Sequence, residues 1–165
     1  MAAVAPRSAG LYIQSGMDEL YPTEILALAA DIPHLGAMPP GQGRPGERVG
    51  RARKRSMVCG SEVEIEVRLD EEGRLADLGI EVEACALGQA SASVLGGHAI
   101  GATLEEMAGA RDALEAMLKS GAPAPEGRFS QLAALAPVRG YPRRHASTLL
   151  AWTAAVAAME EALSR

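Results

Sequence analysis

The segment Met57–Ser93, MVCGSEVEIEVRLDEEGRLADLGIEVEACALGQASAS, holds both cysteines of the chain, Cys59 and Cys85. Within it Val63, Ile65, Val67 and Leu69 alternate with Glu62, Glu64, Glu66 and Arg68. That period of two marks a strand with one face buried and one face wet. Asp70-Glu71-Glu72-Gly73 supplies a turn, with Gly73 free to take a positive φ. Ala76, Leu78, Ile80 and Val82 then resume the alternation against Leu75, Asp77, Glu81 and Glu83. A hairpin starts and finishes at one end of its sheet, so the two thiols that flank this one are expected to meet.

After Cys85 the run Ala86-Leu87-Gly88-Gln89-Ala90-Ser91-Ala92-Ser93-Val94-Leu95 is helical in character and rich in small residues. Cys85 is expected at or just before the helix N-terminus, where unpaired N–H groups and the macrodipole favour a thiolate. Its other reading is a small buried hydrophobe. The small side chains would let neighbouring backbone pack close to the sulfur.

Upstream, Ile25, Leu26, Leu28, Ala29 and Ile32 predict an amphipathic first helix, capped by Thr23 or Asp18 and stopped by Pro33. The glycine- and proline-rich GAMPPGQGRPGERVG reads as loop. It leads into Arg48–Val58, where Arg48, Arg51, Arg53, Lys54 and Arg55 make a basic edge before Cys59. This edge is either a charged edge strand that discourages sheet-to-sheet pairing or a strip that docks an acidic partner beside the thiols. Downstream, Thr103 with Glu106 forms a capping box that opens a helix through Leu104, Met107, Ala108, Leu114 and Leu118. Ser120–Pro125 ends it, Phe129–Leu135 predicts a short helix, and Pro137–Arg144 a basic connection. A last helix from His145 to Leu163 carries Leu149, Trp152, Val156, Met159 and Leu163 on its apolar stripe. The order predicts an α+β fold: a three-stranded antiparallel sheet with several helices packed on one face. Residues 1–19 read as a mobile N-terminal arm and 20–165 as one domain.

With 165 residues, 48% of them hydrophobic and only 3% aromatic, the core must be built from Ala, Leu, Val and Ile. A net charge of -5 argues against a general nucleic-acid binder. The longest apolar run, Leu149–Met159, is too short to span a bilayer. A soluble cytoplasmic protein is expected, with its cysteines reduced and available as ligands or reactive thiols. The candidates for chemistry are Cys59, Cys85 and His145, with His34 and His98 in reserve. Two thiolates and an imidazole suit zinc or an iron-sulfur centre, because soft ligands select such metals. No P-loop, G-x-G-x-x-G or G-x-S-x-G is present, and without a C-x-x-C a thiol-disulfide oxidoreductase is disfavoured.

Several of these pieces together resemble the IscU/NifU-type iron-sulfur cluster assembly scaffolds. They are Leu20-Tyr21 opening a helix, Cys59-Gly60 before the hairpin, Glu83-Ala84-Cys85-Ala86 entering a helix with Ala90-Ser91-Ala92-Ser93, and Gly101-Ala102-Thr103-Leu104-Glu105-Glu106. The segment ending Pro137-Val138-Arg139-Gly140-Tyr141-Pro142-Arg143-Arg144 is more similar to the SufU branch. The likeness runs from Leu20 to Leu163. Two departures stand out: Ser61 occupies the position of the family's aspartate, and an ungapped placement puts Ala146 at its third cysteine. His145 matches a histidine of the IscU branch.

The resemblance implies a SufE/IscU-like fold and a binding protein, not an enzyme, that takes sulfur from a cysteine desulfurase and passes a cluster to apo-proteins. Cys59 and Cys85 would be thiolate ligands or persulfide acceptors for a transient iron-sulfur cluster, or would hold a zinc ion, with His145 and an outside group such as water or Glu62 completing the set. The alternative is a metal-free or zinc-binding accessory module that docks on the desulfurase and regulates it.

Overall fold

The computed structural model describes residues 21–42 and 44–165; the expected 1–19 arm and Asp18 lie outside them. Strands β1 (Arg48–Arg55), β2 (Glu62–Leu69) and β3 (Leu75–Glu83) form one antiparallel sheet in the order β1-β2-β3. Helices α1 (Thr23–Ala30), α2 (Ala86–His98), α3 (Leu104–Ser120) and α4 (His145–Leu163) complete the α+β architecture, with α4 against β1 and β2 and α2 against β3. The 3-10 stretches Gly127–Gly140 and Pro142–Arg144 connect α3 to α4.

The hairpin follows its alternation. Val63, Ile65, Val67 and Leu69 are buried under the helices, and the Asp70 carboxylate accepts the N–H groups of Glu72 and Arg74 while Gly73 takes φ +81°. Two positions depart from expectation. A register shift at Arg68/Leu69 sets Leu69 opposite Leu75, so Leu75 turns into the core and Ala76 out to solvent. Arg68, on the face expected to be wet, is 6% exposed. The chain before β1 folds over that face, so Arg68 donates to Asp77 at 2.6 Å and to the Pro39 carbonyl at 3.1 Å, with Glu47 at 3.8 Å.

The basic strand is an edge strand, and it begins inside the segment read as loop, taking in Val49 and Gly50. Gly50 is there because α4 leaves no room: a Cβ at that position would sit 2.0 Å from the Ala158 carbonyl oxygen. Buried Ala154, Ala155, Ala158 and Ala162 widen the expected apolar stripe of α4 into a flat small-residue surface for β1. On the other face, register sets Arg51 opposite Glu66 and Arg53 opposite Glu64, and both form ion pairs, at 2.5 and 2.8 Å.

The helix ends show what capping chemistry fixes. Thr103 and Glu106 form both bonds of the capping box, and Gly121 ends α3 at φ +70°. Thr23, expected as a cap, is instead the first residue of α1, and no side chain caps that helix. The short helix foreseen at Phe129–Leu135 lies within the 3-10 segment Gly127–Gly140, which is kinked at Phe129 and takes in Pro137.

Candidate functional site

The turn from β1 to β2 carries Cys59. Ser56 N–H donates to the Ser61 carbonyl (2.8 Å) and Gly60 N–H to the Ser56 carbonyl (2.9 Å). Gly60 closes the turn at φ +74°, a conformation that disfavours any side chain. Cys85 is the N-cap residue of α2 with extended backbone, as its neighbours predict. Because Glu62 and Glu83 are the last paired residues of the hairpin, the two cysteines come out at the same end of the sheet. Cys59, Gly60, Ser61, Glu83, Cys85 and Arg144 line one open depression there.

Two hydroxyls stand beside the two thiols. Ser61 Oγ lies 3.0 Å from Cys59 Sγ, and Ser147 Oγ lies 3.9 Å from Cys85 Sγ. Hydrogen bonds to Cys59 from the Ser61 and Ser56 side chains, then the Ser61 backbone, with a smaller one from Ser147, outweigh desolvation and bring its pKa from the ordinary 9.0 to about 7. Hydrogen bonds to the charged form favour that form, so Cys59 is far more readily a thiolate near neutral pH than an ordinary thiol.

Ser147 was not legible as a site residue. An ungapped placement favours Ala146, yet Ala146 is exposed and Ser147 is buried. One residue on a helix is 100° of rotation, and the phase is set by packing that no local motif announces. Gly88 lets α2 approach the start of α4, since a Cβ there would lie 3.3 Å from the Ser147 carbonyl oxygen. Ser91, from the predicted run of small residues, donates to the Thr148 carbonyl (2.5 Å) and accepts from Trp152 Nε1 (3.0 Å). These buried bonds lock the two helices with Ser147 toward the thiols. The adjacent Ser147 and Thr148 hydroxyls both donate to the Arg144 carbonyl, closing the first turn of α4.

The other candidates sit elsewhere. His145 Nε2 lies 3.1 Å from each of the Val138 and Arg139 carbonyl oxygens, so the ring is turned onto the 3-10 segment and is not among the residues lining the depression. His98 bonds Gln131 at 2.7 Å, and exposed His34 takes φ +65° where the loop after α1 touches β3. Glu62 lies 3.6 Å from Arg53. Among the described residues no three His, Cys, Asp or Glu side chains gather to hold a metal ion. The depression thus offers two thiols, with the Ser61 hydroxyl beside one and the buried Ser147 hydroxyl near the other; Glu83 lines it too but does not gather with the cysteines into a metal-binding group. Zinc is held by Cys, His or carboxylate, so this set makes half of a closed zinc site.

No described helix is long and apolar enough to cross a membrane. A model of the NifU-like N-terminal domain matches residues 21–159. The crystal structure of the N-terminal part of a nitrogen-fixing NifU-like protein from Brucella abortus is 39% identical, with a TM-score of 0.79 over 90% of this chain and 98% of that one. A protein described as an iron-sulfur cluster assembly scaffold for the SUF system, from thermophilic Fervidobacterium islandicum AW-1, is 22% identical with a TM-score of 0.67, over 86% of this chain and 98% of that one. At that identity the likeness is one of fold. No curated protein matches the chain.

Proposed function

This chain belongs to the NifU-like N-terminal domain family, and on that premise we propose that it is a cytoplasmic sulfur acceptor and divergent scaffold in iron-sulfur cluster assembly. The observation that carries the proposal is the convergence of the chain's two thiols on one solvent-open depression. Cys59 is exposed and held near pKa 7, so it is the acceptor: its thiolate attacks the outer sulfur of a donor's persulfide, forming a new S–S bond at Cys59 and releasing the donor thiolate. Cys85 is half-buried at a helix N-terminus and serves as the second thiolate toward iron.

A cluster is the cargo of this site, and the chain brings two of its thiolate ligands. Ser61 stands where a harder anionic group would bind metal more strongly, and as a neutral hydroxyl it stabilises the Cys59 thiolate instead, while Ser147 gives its proton to the Arg144 carbonyl. The remaining ligands come from the partner, from sulfide or from solvent. His145 joins them only by leaving its two carbonyl partners. Among the described residues no third Cys, His or carboxylate gathers with the two thiols, so the donor set does not fit a resident zinc ion. The partners on this reading are a cysteine desulfurase and cluster-accepting apo-proteins, and the chain itself catalyses nothing.

The test is iron, zinc and acid-labile sulfide content after anaerobic purification, for the native chain and Cys59→Ala, with and without a cysteine desulfurase, cysteine and iron. Sulfide-containing iron that forms only with the desulfurase and vanishes in Cys59→Ala supports the reading. Partner binding that survives both Cys59→Ala and Cys85→Ala, with neither sulfur nor iron acquired by the native chain, overturns it in favour of a regulatory module.

A further inference from the structure

The turn that presents Cys59 also presents two large apolar side chains to water. Met57 is 93% exposed and Val58 68% exposed. The other exposed large hydrophobic residues among the described positions, Leu26, Leu35, Val49 and Ile100, are isolated from one another in sequence. The turn does not need these side chains, since its closure rests on the Ser56–Ser61 and Ser56–Gly60 backbone bonds and on the positive φ of Gly60. The backbone that carries them is steadied by one further bond, Val58 N–H to Ser56 Oγ at 3.3 Å. A tip on an ordered backbone loses less freedom when a partner covers it.

Charge around the tip is distributed in the same sense. Along β1 the basic residues divide into two sets, apart from Arg48 at the far end of the strand, which also joins no ion pair among the described residues. Arg51 and Arg53 are neutralised by Glu66 and Glu64. Arg55 has Glu62 opposite it in register, but Glu62 turns to Arg53, and neither Lys54 nor Arg55 joins an ion pair among the described residues. Across the depression, Arg143 and Arg144 are likewise without ion pairs among the described residues, and Arg144 lines the depression itself. In a chain of net charge -5, Arg144 lines the depression beside Glu83 and Arg55 reaches toward Gly60, with Lys54 and Arg143 adjoining them in sequence.

We propose that the Met57–Val58 tip, with its collar of Lys54, Arg55, Arg143 and Arg144, is the surface on which the sulfur-donating protein docks, and that the donor presents an apolar cleft rimmed by carboxylates. This rests on the sulfur-acceptor reading above and adds the chemistry of the partner. A protein is the favoured occupant over an anionic bilayer because Cys59 follows Val58 directly: a tip sunk in lipid would carry the acceptor thiol away from any donor. Tip and collar have separate tasks. Burial of Met57 and Val58 in the cleft slows dissociation, while the collar steers approach and makes association sensitive to salt.

The test uses the full chain with a purified cysteine desulfurase charged with radiolabelled cysteine, and three proteins: native, Met57→Ser/Val58→Ser, and Lys54→Glu/Arg55→Glu/Arg143→Glu. Affinity is read at low and high salt, and Cys59 labelling is read from the desulfurase and, separately, from glutathione persulfide, which needs no docking. The apolar double variant is expected to bind at least about tenfold more weakly. The charge variant is expected to lose about tenfold in association rate and most of its salt dependence. Both keep native labelling by glutathione persulfide. Native-like desulfurase binding in both variants overturns the docking surface and leaves the sulfur-acceptor reading standing. Loss of glutathione persulfide labelling also overturns it, because the substitutions then act on the thiol site. Native binding to phosphatidylserine vesicles that the apolar variant loses overturns it in favour of a lipid surface. A native chain that neither binds the desulfurase nor is labelled from either source brings down both readings.

Discussion

The two ends of the sheet treat charge in opposite ways. At the end remote from the cysteines, Arg68 is buried with Asp77, Glu47 and a loop carbonyl around it, and the Asp70 carboxylate is used up by the turn it closes. At the thiol end Lys54, Arg55, Arg143 and Arg144 are without ion pairs among the described residues, two large apolar side chains face water, and the reactive sulfur is exposed. At the first end a buried charge and a turn carboxylate have their interactions completed by folding. The other end has them left for something outside the chain, and the difference separates the residues that hold the fold from those that use it.

The contrast can be broken most severely from the closed interior. Trp152→Ala removes a fully buried side chain that packs edge-on against Phe129 and donates to Ser91. It is expected to cost about 4 kcal/mol in urea unfolding. It also loosens the contact that orients Ser147. Arg68→Ala strands the Asp77 carboxylate and leaves the Pro39 carbonyl without its donor, at an expected cost of about 3 kcal/mol by the same measurement. A cost near zero would mean that this end of the sheet is as open as the other.

At the thiol end the expected effects are on reactivity. Native Cys59 should react with iodoacetamide along a titration centred near pH 7, because the thiolate is the nucleophile. Ser61→Ala removes the largest contribution to that lowering, so the midpoint moves up toward 9.0. The rate at neutral pH then falls by roughly an order of magnitude, because below the pKa each further unit of separation is tenfold in thiolate. Unfolding free energy should barely move. The smallest effect is expected for Met57→Ser/Val58→Ser, which should leave the unfolding free energy in urea within about 0.5 kcal/mol of native, as for surface positions outside packed features. A clear loss of stability there would show that the tip belongs to the fold.

Legibility in the sequence follows the same division between local and distant causes. The hairpin, the Thr103–Glu106 box and the bounds of the last helix were all readable, because each is governed by residues within a few positions of one another. Arg68 was misread because the lid over it comes from Pro39, on the far side of a loop. Leu75 and Ala76 exchanged faces through one register shift that alternation alone does not reveal. At the site, the meeting of Cys59 and Cys85 followed from the hairpin, whereas Ser147 depended on how α4 docks against α2. The small-residue run Ala90–Ser93 did signal a close approach, but not which element would arrive.

That asymmetry has a counterpart in time. The two thiols are joined by a hairpin, a local structure whose pairing forms within microseconds but whose apolar face is covered only when α4 docks on β1 and β2. Ser147 lies 62 residues beyond Cys85 and reaches it only when the last helix is in place. A chain emerging from the ribosome therefore exposes both cysteines before the helix that covers their hairpin has been made. The reactive end of the molecule is completed last, when α4 docks on the sheet and brings Ser147 to Cys85.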